Sequence, residues 1–273
     1  MGRVGREPAH PPEASDRAHR LRTAWPAVES PAARRLLIAA AEAFAERGFH
    51  ATTTRDIAGR AGMSAGGLYV HFGSKEELLF QISFVGHQQA LAVVVEAGAG
   101  LGPDADPTAC LRAVVRDFAT WHALHHTTAR VIQYEIEALT VPHLAAVAEV
   151  RRQIDQVVRG VIECGVASGD FDAPDVAGAA LAILSLSIDV ARWFNESTRR
   201  EPDAIGALYA DLAVRMLRSR QPDESRDELA TELPDELPDE PPDQDATAQV
   251  STTQTFAAQT SSAQGSTNRK APQ

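Results

Sequence analysis

The stretch TTRDIAGRAGMSAGGLYVHFGSK, residues 53–75, decides how this chain folds. Thr53 suits a helix N-cap, and Asp56 three residues later has the spacing of a reciprocal capping box. That pattern predicts a short helix over residues 54–61, with Ile57 and Ala58 facing inward. Gly62 stops it, because glycine takes the left-handed conformation that a C-terminal turn needs, and Met63 plugs the turn with an apolar side chain. Ser64 then caps a second helix over residues 65–72, Gly73 ends it, and Ser74 caps a third with Glu77 at the box position. Helix, short glycine-containing turn, helix is the helix-turn-helix arrangement.

The second helix carries an unusual composition. Ala65, Gly66 and Gly67 are small, so this end can approach a groove wall closely. Two adjacent glycines in a helix cost about 1 kcal/mol each relative to alanine, which an ordinary core helix has no reason to accept. Leu68 and Phe72 lie four apart and pack inward, while Tyr69 and His71 carry polar tips. A recognition helix places its N-terminal residues nearest the base edges of the major groove. The candidate DNA contacts are therefore Thr53 and Thr54, whose hydroxyls sit at a helix N-terminus suited to phosphate, Arg55 for phosphate or a guanine edge, and Ser64 with the residues after it.

Just upstream, Ser30 and Pro31 open a helix as N-cap and first helical residue, with Leu37, Ala40, Ala41 and Phe44 on one face and Gly48 at its end. The segments RRLLIAAAEAFAERGF (34–49), TTTRDIAGRAGMS (52–64) and GLYVHFGSKEELL (67–79) resemble the TetR family of bacterial transcription regulators. The resemblance covers about residues 31–80. It implies an all-α fold of about nine helices, three in a DNA-binding domain and six in an effector-binding and dimerisation domain. It also implies that Tyr69, His71 and Lys75 touch the DNA backbone and that Ala65, Gly66 and Gly67 face bases. These small residues offer few donors; Ala65 can touch a thymine methyl, and indirect readout carries more of the specificity. For Tyr69 the plainer alternative is a buried core tyrosine.

The net charge of −11 runs against a DNA-binding protein, but its distribution resolves this. Residues 222–245 hold eleven acids and one base, while residues 1–30 hold five arginines against four acids. Local charge rather than the total decides phosphate attraction. The termini read as disordered: a Pro- and Arg-rich arm over 1–30, and an acidic, proline-rich and then polar low-complexity tail over 220–273. The two cysteines, Cys110 and Cys164, have neither a disulfide framework nor metal-ligand spacing, so a reduced, cytoplasmic protein is expected.

Between them, periodicity predicts helices only, and residues 81–219 are assigned to the second domain. Helix four runs from Ser74 to about Glu96 and joins the two domains. After the 98–107 loop come helices starting at Pro107, at Thr127 as cap, at Pro142, after Pro174 and at Pro202. Residues 176–188 hold thirteen residues without a charge, short of the about 20 needed to span a bilayer, so no membrane partner is expected. Leu181, Leu184 and Ile188, with Leu208, Leu212 and Met216, are the candidate dimer contacts of a four-helix interface, and a symmetric homodimer suits a palindromic operator on double-stranded DNA. Asp189 and Arg192 are three apart and can pair with each other.

In WHALHH (121–126), His122 and His126 stand four apart and read as one helix face. That spacing can hold a metal, but no adjacent Cys or carboxylate completes a set, so no metal and no cofactor are expected. The pocket candidates are Trp121, His122, His125, Tyr134, Glu135 and Trp193. No phosphate loop and no GxGxxG after a strand is present, which argues against an enzyme. The expected function is a repressor released from its operator by a small apolar or acyl-type ligand. The apolar, aromatic-poor helices and a loose likeness to family members governing lipid and steroid catabolism point to an acyl-CoA, fatty acid or steroid. The alternative is a regulator without a small-molecule effector, controlled by a protein partner or by abundance.

Overall fold

A computed structural model describes residues 30–99, 106–195 and 197–218; the N-terminal arm, most of the 98–107 loop and the acidic tail lie outside them. Among the described residues the fold is all-α, with nine α-helices. They are α1 (Pro31–Arg47), α2 (Thr54–Arg60), α3 (Ala65–Tyr69), α4 (Lys75–Gly98), α5 (Pro107–Leu124), α6 (His126–Glu135), α7 (Val141–Ser168), α8 (Val176–Trp193) and α9 (Pro202–Leu217). A 3₁₀ turn, Ile136–Ala138, follows α6.

Helix starts follow local chemistry. The Ser30 hydroxyl accepts from the Ala33 N–H, and Pro31 supplies a first residue with no amide to satisfy. Thr53 and Asp56 form the full capping box on α2, Ser64 accepts from Gly67 N–H on α3, and Ser74 accepts from Glu77 N–H on α4. Gly62, at φ 68°, makes the turn between α2 and α3. Departures from expectation are local. Thr127 lies inside α6 rather than capping it; the helix begins at His126, behind His125, which makes no side-chain capping bond. The second short helix is also tighter, ending at Tyr69, after which the amides of His71 and Phe72 both return to the Leu68 carbonyl.

Two cores organise the helices. The first gathers Leu36, Leu37 and Phe44 of α1, Ile57 of α2, Leu68 of α3 and Leu78 of α4, all essentially sealed from solvent. Val131, Ile132 and Ile136 belong to this same core, so α6 is the floor on which the helix-turn-helix unit rests. The second core joins the far half of α4 to α5, α7, α8 and α9. There α5 and α9 approach so closely that a Cβ at Gly206 would fall against Thr120 and 2.5 Å from the Arg116 carbonyl. By length and composition α4 and α8 could each cross a membrane, which corrects the expectation for α8. Both are packed in this bundle, and α8 carries the Asp189–Arg192 pair within it.

Candidate functional site

One candidate site is the face made by α2, α3 and the turn after α3. Thr53, Arg55, Ser64, Gly66, Tyr69 and His71 are exposed on it, and Thr54, Ala65 and Gly67 are half-buried. The Tyr69 hydroxyl lies 3.2 Å from the Thr54 hydroxyl, so two short helices present one pair of polar tips side by side. Tyr69 is 54% exposed, so it is not the buried core tyrosine that was its alternative; Leu68 beside it fills that role. Hydrogen bonds from the Thr53 side chain and backbone hold the Asp56 carboxyl below its usual value, so the cap is charged at neutral pH.

Gly66 shows what the fold does and does not require. A Cβ added there would meet only the Ser64 hydroxyl at 3.9 Å, and its backbone is not left-handed. Nothing inside the molecule calls for a glycine. Gly67 differs, since its Cβ would press to 3.3 Å on the Met63 methyl.

Lys75, expected on phosphate, is committed inward. Its ammonium donates to the carbonyls of Phe49 at 2.6 Å, Thr52 at 2.9 Å and His50 at 3.5 Å, and it sits 4.2 Å from the Phe49 ring centroid. Burial pulls its pKa below the usual lysine value, with Glu135 pulling the other way. Three donors already satisfied make this side chain a clasp between the start of α4 and the end of the loop after α1. Reaching a phosphate would break it.

A second clasp joins α4 to the start of α7. Glu76 accepts from the Thr140 N–H at 2.8 Å and lies 2.8 Å from His143 Nδ1, and the His143 ring stacks flat on Phe80 at 3.8 Å. Burial pushes the Glu76 carboxyl up, but the bonds from Thr140 and His143 outweigh it and hold the pKa below normal.

The other candidate site is a cavity of about 410 Å³ walled by α4, α5, α6, α7 and α8. Of the six pocket residues expected from sequence, Trp121 and His122 line it. The other four do not, and each has a physical reason. His125 sits at the break between α5 and α6, against the Trp121 ring but off the cavity wall. Tyr134 is 52% exposed on the outer face of α6. Glu135 points to the helix-turn-helix unit, with its carboxylate 3.3 Å from where a Gly48 Cβ would stand. Trp193 is at the surface end of α8. The break also separates His122 and His126 onto different helices, so they do not share a face; their Nδ1 atoms bond instead to the Phe118 and Ala123 carbonyls.

The remaining wall was not foreseen. Gly86, His87 and Ala90 enter from α4, Gln133 from α6, and Arg151 from α7. A signal for Arg151 was present: it is a charge within the apolar stripe Val147, Val150, Ile154 of α7. Burial lowers its guanidinium to about 10, so it stays charged at neutral pH. Burial lowers His87 to about 3 and His122 to about 4, so both rings are neutral there. Each is held by its own helix, His87 Nδ1 at 2.7 Å from the Ser83 carbonyl and His122 Nδ1 at 2.8 Å from the Phe118 carbonyl. A carbonyl only accepts, so Nδ1 carries the proton and Nε2 is left as an acceptor.

The candidate dimer residues divide. Leu208, Leu212 and Met216 stand four apart on α9 and are exposed, at 38, 42 and 48%. On α8, Leu181 is half-buried, whereas Leu184 is sealed inside the protomer and, with Ile188, lines the cavity. Rotation of α8 turns the Leu184 edge inward and leaves Leu186, 46% exposed, on the outer side.

Comparison with known proteins covers both halves. A family model described as bacterial regulatory proteins, tetR family, matches residues 36–82. A second, described as tetracyclin repressor-like, C-terminal domain, matches residues 104–217. A bacterial regulatory protein of the tetR family from Rhodococcus RHA1 superposes with a TM-score of 0.65 at 43% identity, over 70% of this chain and 100% of that one. The transcriptional repressor KstR2 of Rhodococcus jostii is 30% identical over 188 residues, 66% of this chain and 87% of that protein. The structure of the ketosteroid transcriptional regulator KstR2 of Mycobacterium tuberculosis aligns with a TM-score of 0.63 at 26% identity, over 71% of this chain and 97% of that one.

Proposed function

The chain belongs to the TetR family of bacterial transcription regulators, DNA-binding proteins and not enzymes, and from that premise we propose that it is a cytoplasmic homodimeric repressor released from a palindromic operator by a small apolar or acyl-type ligand. The observation that carries this reading is the course of α4. Its first turn is clasped to the helix-turn-helix unit through Lys75, and its second half supplies Gly86, His87 and Ala90 to the cavity wall. A ligand in the cavity therefore touches the helix that follows α3 in the chain and packs against α1 of the same unit.

The α6 floor adds a second route, since Ile132 lines the cavity and belongs to the core beneath α1. Gly86 lets α4 and α6 meet here: a Cβ would lie 2.6 Å from the Ile132 side chain. A ligand that spreads these helices favours an arrangement that no longer fits the operator, and operator DNA must weaken ligand binding by the same factor. The apolar stripe Leu208, Leu212 and Met216 supports pairing through α9, with Leu181 and Leu186 of α8 beside it. The repressor and lipid-type readings draw on the similarity to proteins described as a transcriptional repressor and a ketosteroid regulator.

The test is to sequence DNA fragments retained by the full chain, then titrate fatty acids, acyl-CoAs and steroids against the complex. Recovery of an inverted repeat, and its release by one of these classes, supports the reading. A retained palindrome that no compound releases makes the effector-free regulator the better account.

A further inference from the structure

The polar groups on the cavity wall are mostly of one kind: they accept hydrogen bonds. His87 on α4 and His122 on α5 each direct Nδ1 to a carbonyl of their own helix, at 2.7 and 2.8 Å. A carbonyl cannot donate, so the proton is on Nδ1 and Nε2 keeps a lone pair. Burial keeps both rings neutral at neutral pH, and charge on His122 disfavours charge on His87, so the two stand within electrostatic reach of each other. Gln133 on α6 gives its Nε2 to the Ile188 carbonyl at 3.0 Å, which leaves it the amide oxygen. Asp189 on α8 is a further acceptor, its charge balanced by Arg192 through contacts of 2.6 and 3.0 Å. The Arg151 guanidinium is already engaged within the protein. Acceptors thus line the cavity from α4, α5, α6 and α8, between apolar groups such as Phe118, Ile154 and Leu184.

We propose that the ligand of this cavity is a neutral alcohol, an apolar chain or ring system whose hydroxyl donates to Nε2 of His87 or His122. This rests on the reading of the cavity as the effector site and names the ligand's chemical class. An imidazole nitrogen with a lone pair takes a hydroxyl proton and has nothing to give a carbonyl oxygen. A ketone or an ester brought to the same place sets lone pair against lone pair, after both have lost their water. A carboxylate does so with a full charge. An ammonium can donate, but it must shed its hydration among apolar groups, and the Asp189 carboxylate is already paired. An amide N–H can donate too, but it carries a carbonyl, one more acceptor, to a wall of acceptors.

Size and the donor balance agree. At about 410 Å³ the cavity is at the small end of the roughly 300–1,000 Å³ usual for small-molecule sites. The Ser185 hydroxyl on the same wall can turn its proton toward the lone pairs of the ligand oxygen. Chain and ring alcohols share the required chemistry, so both belong in the test.

Equilibrium dialysis of the full chain at neutral pH decides the matter, with compounds that share a skeleton and differ in the oxygen group. The chain set is 1-decanol against 2-decanone, decanoate and decylamine; the ring set is androstan-3-ol against androstan-3-one, all below their solubility limits. At least one alcohol is expected to bind about tenfold or more tightly than its ketone, and more tightly than the acid and the amine. His87→Phe or His122→Phe should remove that preference while leaving the weak ketone affinity unchanged, since a ring of similar size remains without the acceptor. If neither variant folds, the comparison on the unmodified protein stands by itself. Equal affinity for alcohol and ketone, tighter binding of the acid or the amine, a preference that survives both substitutions, or failure of both alcohols to bind overturns the proposal. A ketone or acid that binds more tightly and releases operator sinks the alcohol assignment but leaves the regulator reading intact. An alcohol that binds through either histidine without changing operator affinity does the reverse.

Discussion

The helix-turn-helix unit and the bundle behind it are built from the same few apolar residue types, yet they use them in opposite ways. In the unit, Leu36, Leu68 and Leu78 are sealed from solvent and the exposed face is small and polar, with Gly66 and Tyr69 outward. In the bundle, a cavity of about 410 Å³ lies inside and large apolar side chains lie outside, at Leu212 and Met216. One region buries its core and offers its surface; the other leaves a cavity and offers its interior. A switch requires both, since a close-packed interior has no second arrangement for a ligand to select.

The contrast is broken most directly by making one substitution in both places. Leu68→Ala should cost about 2–5 kcal/mol, because it removes a sealed side chain from a filled core. Leu184→Ala should cost about 2 kcal/mol or less, since part of that side chain already faces the cavity and has fewer contacts to lose. Urea unfolding of the two variants measures the gap. Equal costs would mean that the bundle is as tightly packed as the unit.

A smaller effect separates two glycines. Gly206→Ala should destabilise by about 1–3 kcal/mol, because its methyl meets the Arg116 backbone between α5 and α9. Gly66→Ala should stabilise by about 0.5–1 kcal/mol, as the site is open and alanine is the better helix former. The same Gly66→Ala should weaken operator binding, which melting and filter-binding assays read separately. A variant that is more stable and binds operator unchanged would show that the glycine is not kept for close approach to DNA.

These pairs also explain what could be read from sequence. Ser30, Thr53, Ser64 and Ser74 cap the helices they were expected to cap, because a cap depends on residues within three or four positions. The DNA-facing candidates come from one run of the chain, so their exposure could be anticipated. Lys75 is the exception, since its three acceptors lie 23–26 residues away across the turn. The cavity was mostly illegible. It is assembled from five helices, and which side of each faces inward depends on rotations that periodicity fixes only loosely on helices as apolar as α8. A break at His125 put His126 on a new helix, and with it went the inference that His122 and His126 share one helical face.

The smallest effect lies in the clasp between the two regions. The Glu76 pKa is depressed in the folded protein, so the folded state holds this carboxylate ionised more firmly than the unfolded chain does. Its stabilisation is complete above the ordinary carboxylate value and disappears as pH falls through the depressed one. The stability difference between wild type and Glu76→Gln should therefore be largest near neutral pH and vanish in acid. A difference independent of pH would mean that Glu76 acts through its hydrogen bond to Thr140 alone.

The central claim, that the interior of the bundle controls the DNA-facing unit, can be tested without knowing the ligand. Ala90 is 3% exposed on the cavity wall of α4, beyond the tetR-family match that ends at residue 82. Ala90→Phe places a ring in the cavity in the ligand's stead. Operator affinity, measured by fluorescence anisotropy on a fragment the wild type retains, should fall by about tenfold or more, a coupling within the usual 1–3 kcal/mol, while cooperative melting persists. Unchanged operator affinity in a folded Ala90→Phe protein would contradict the account.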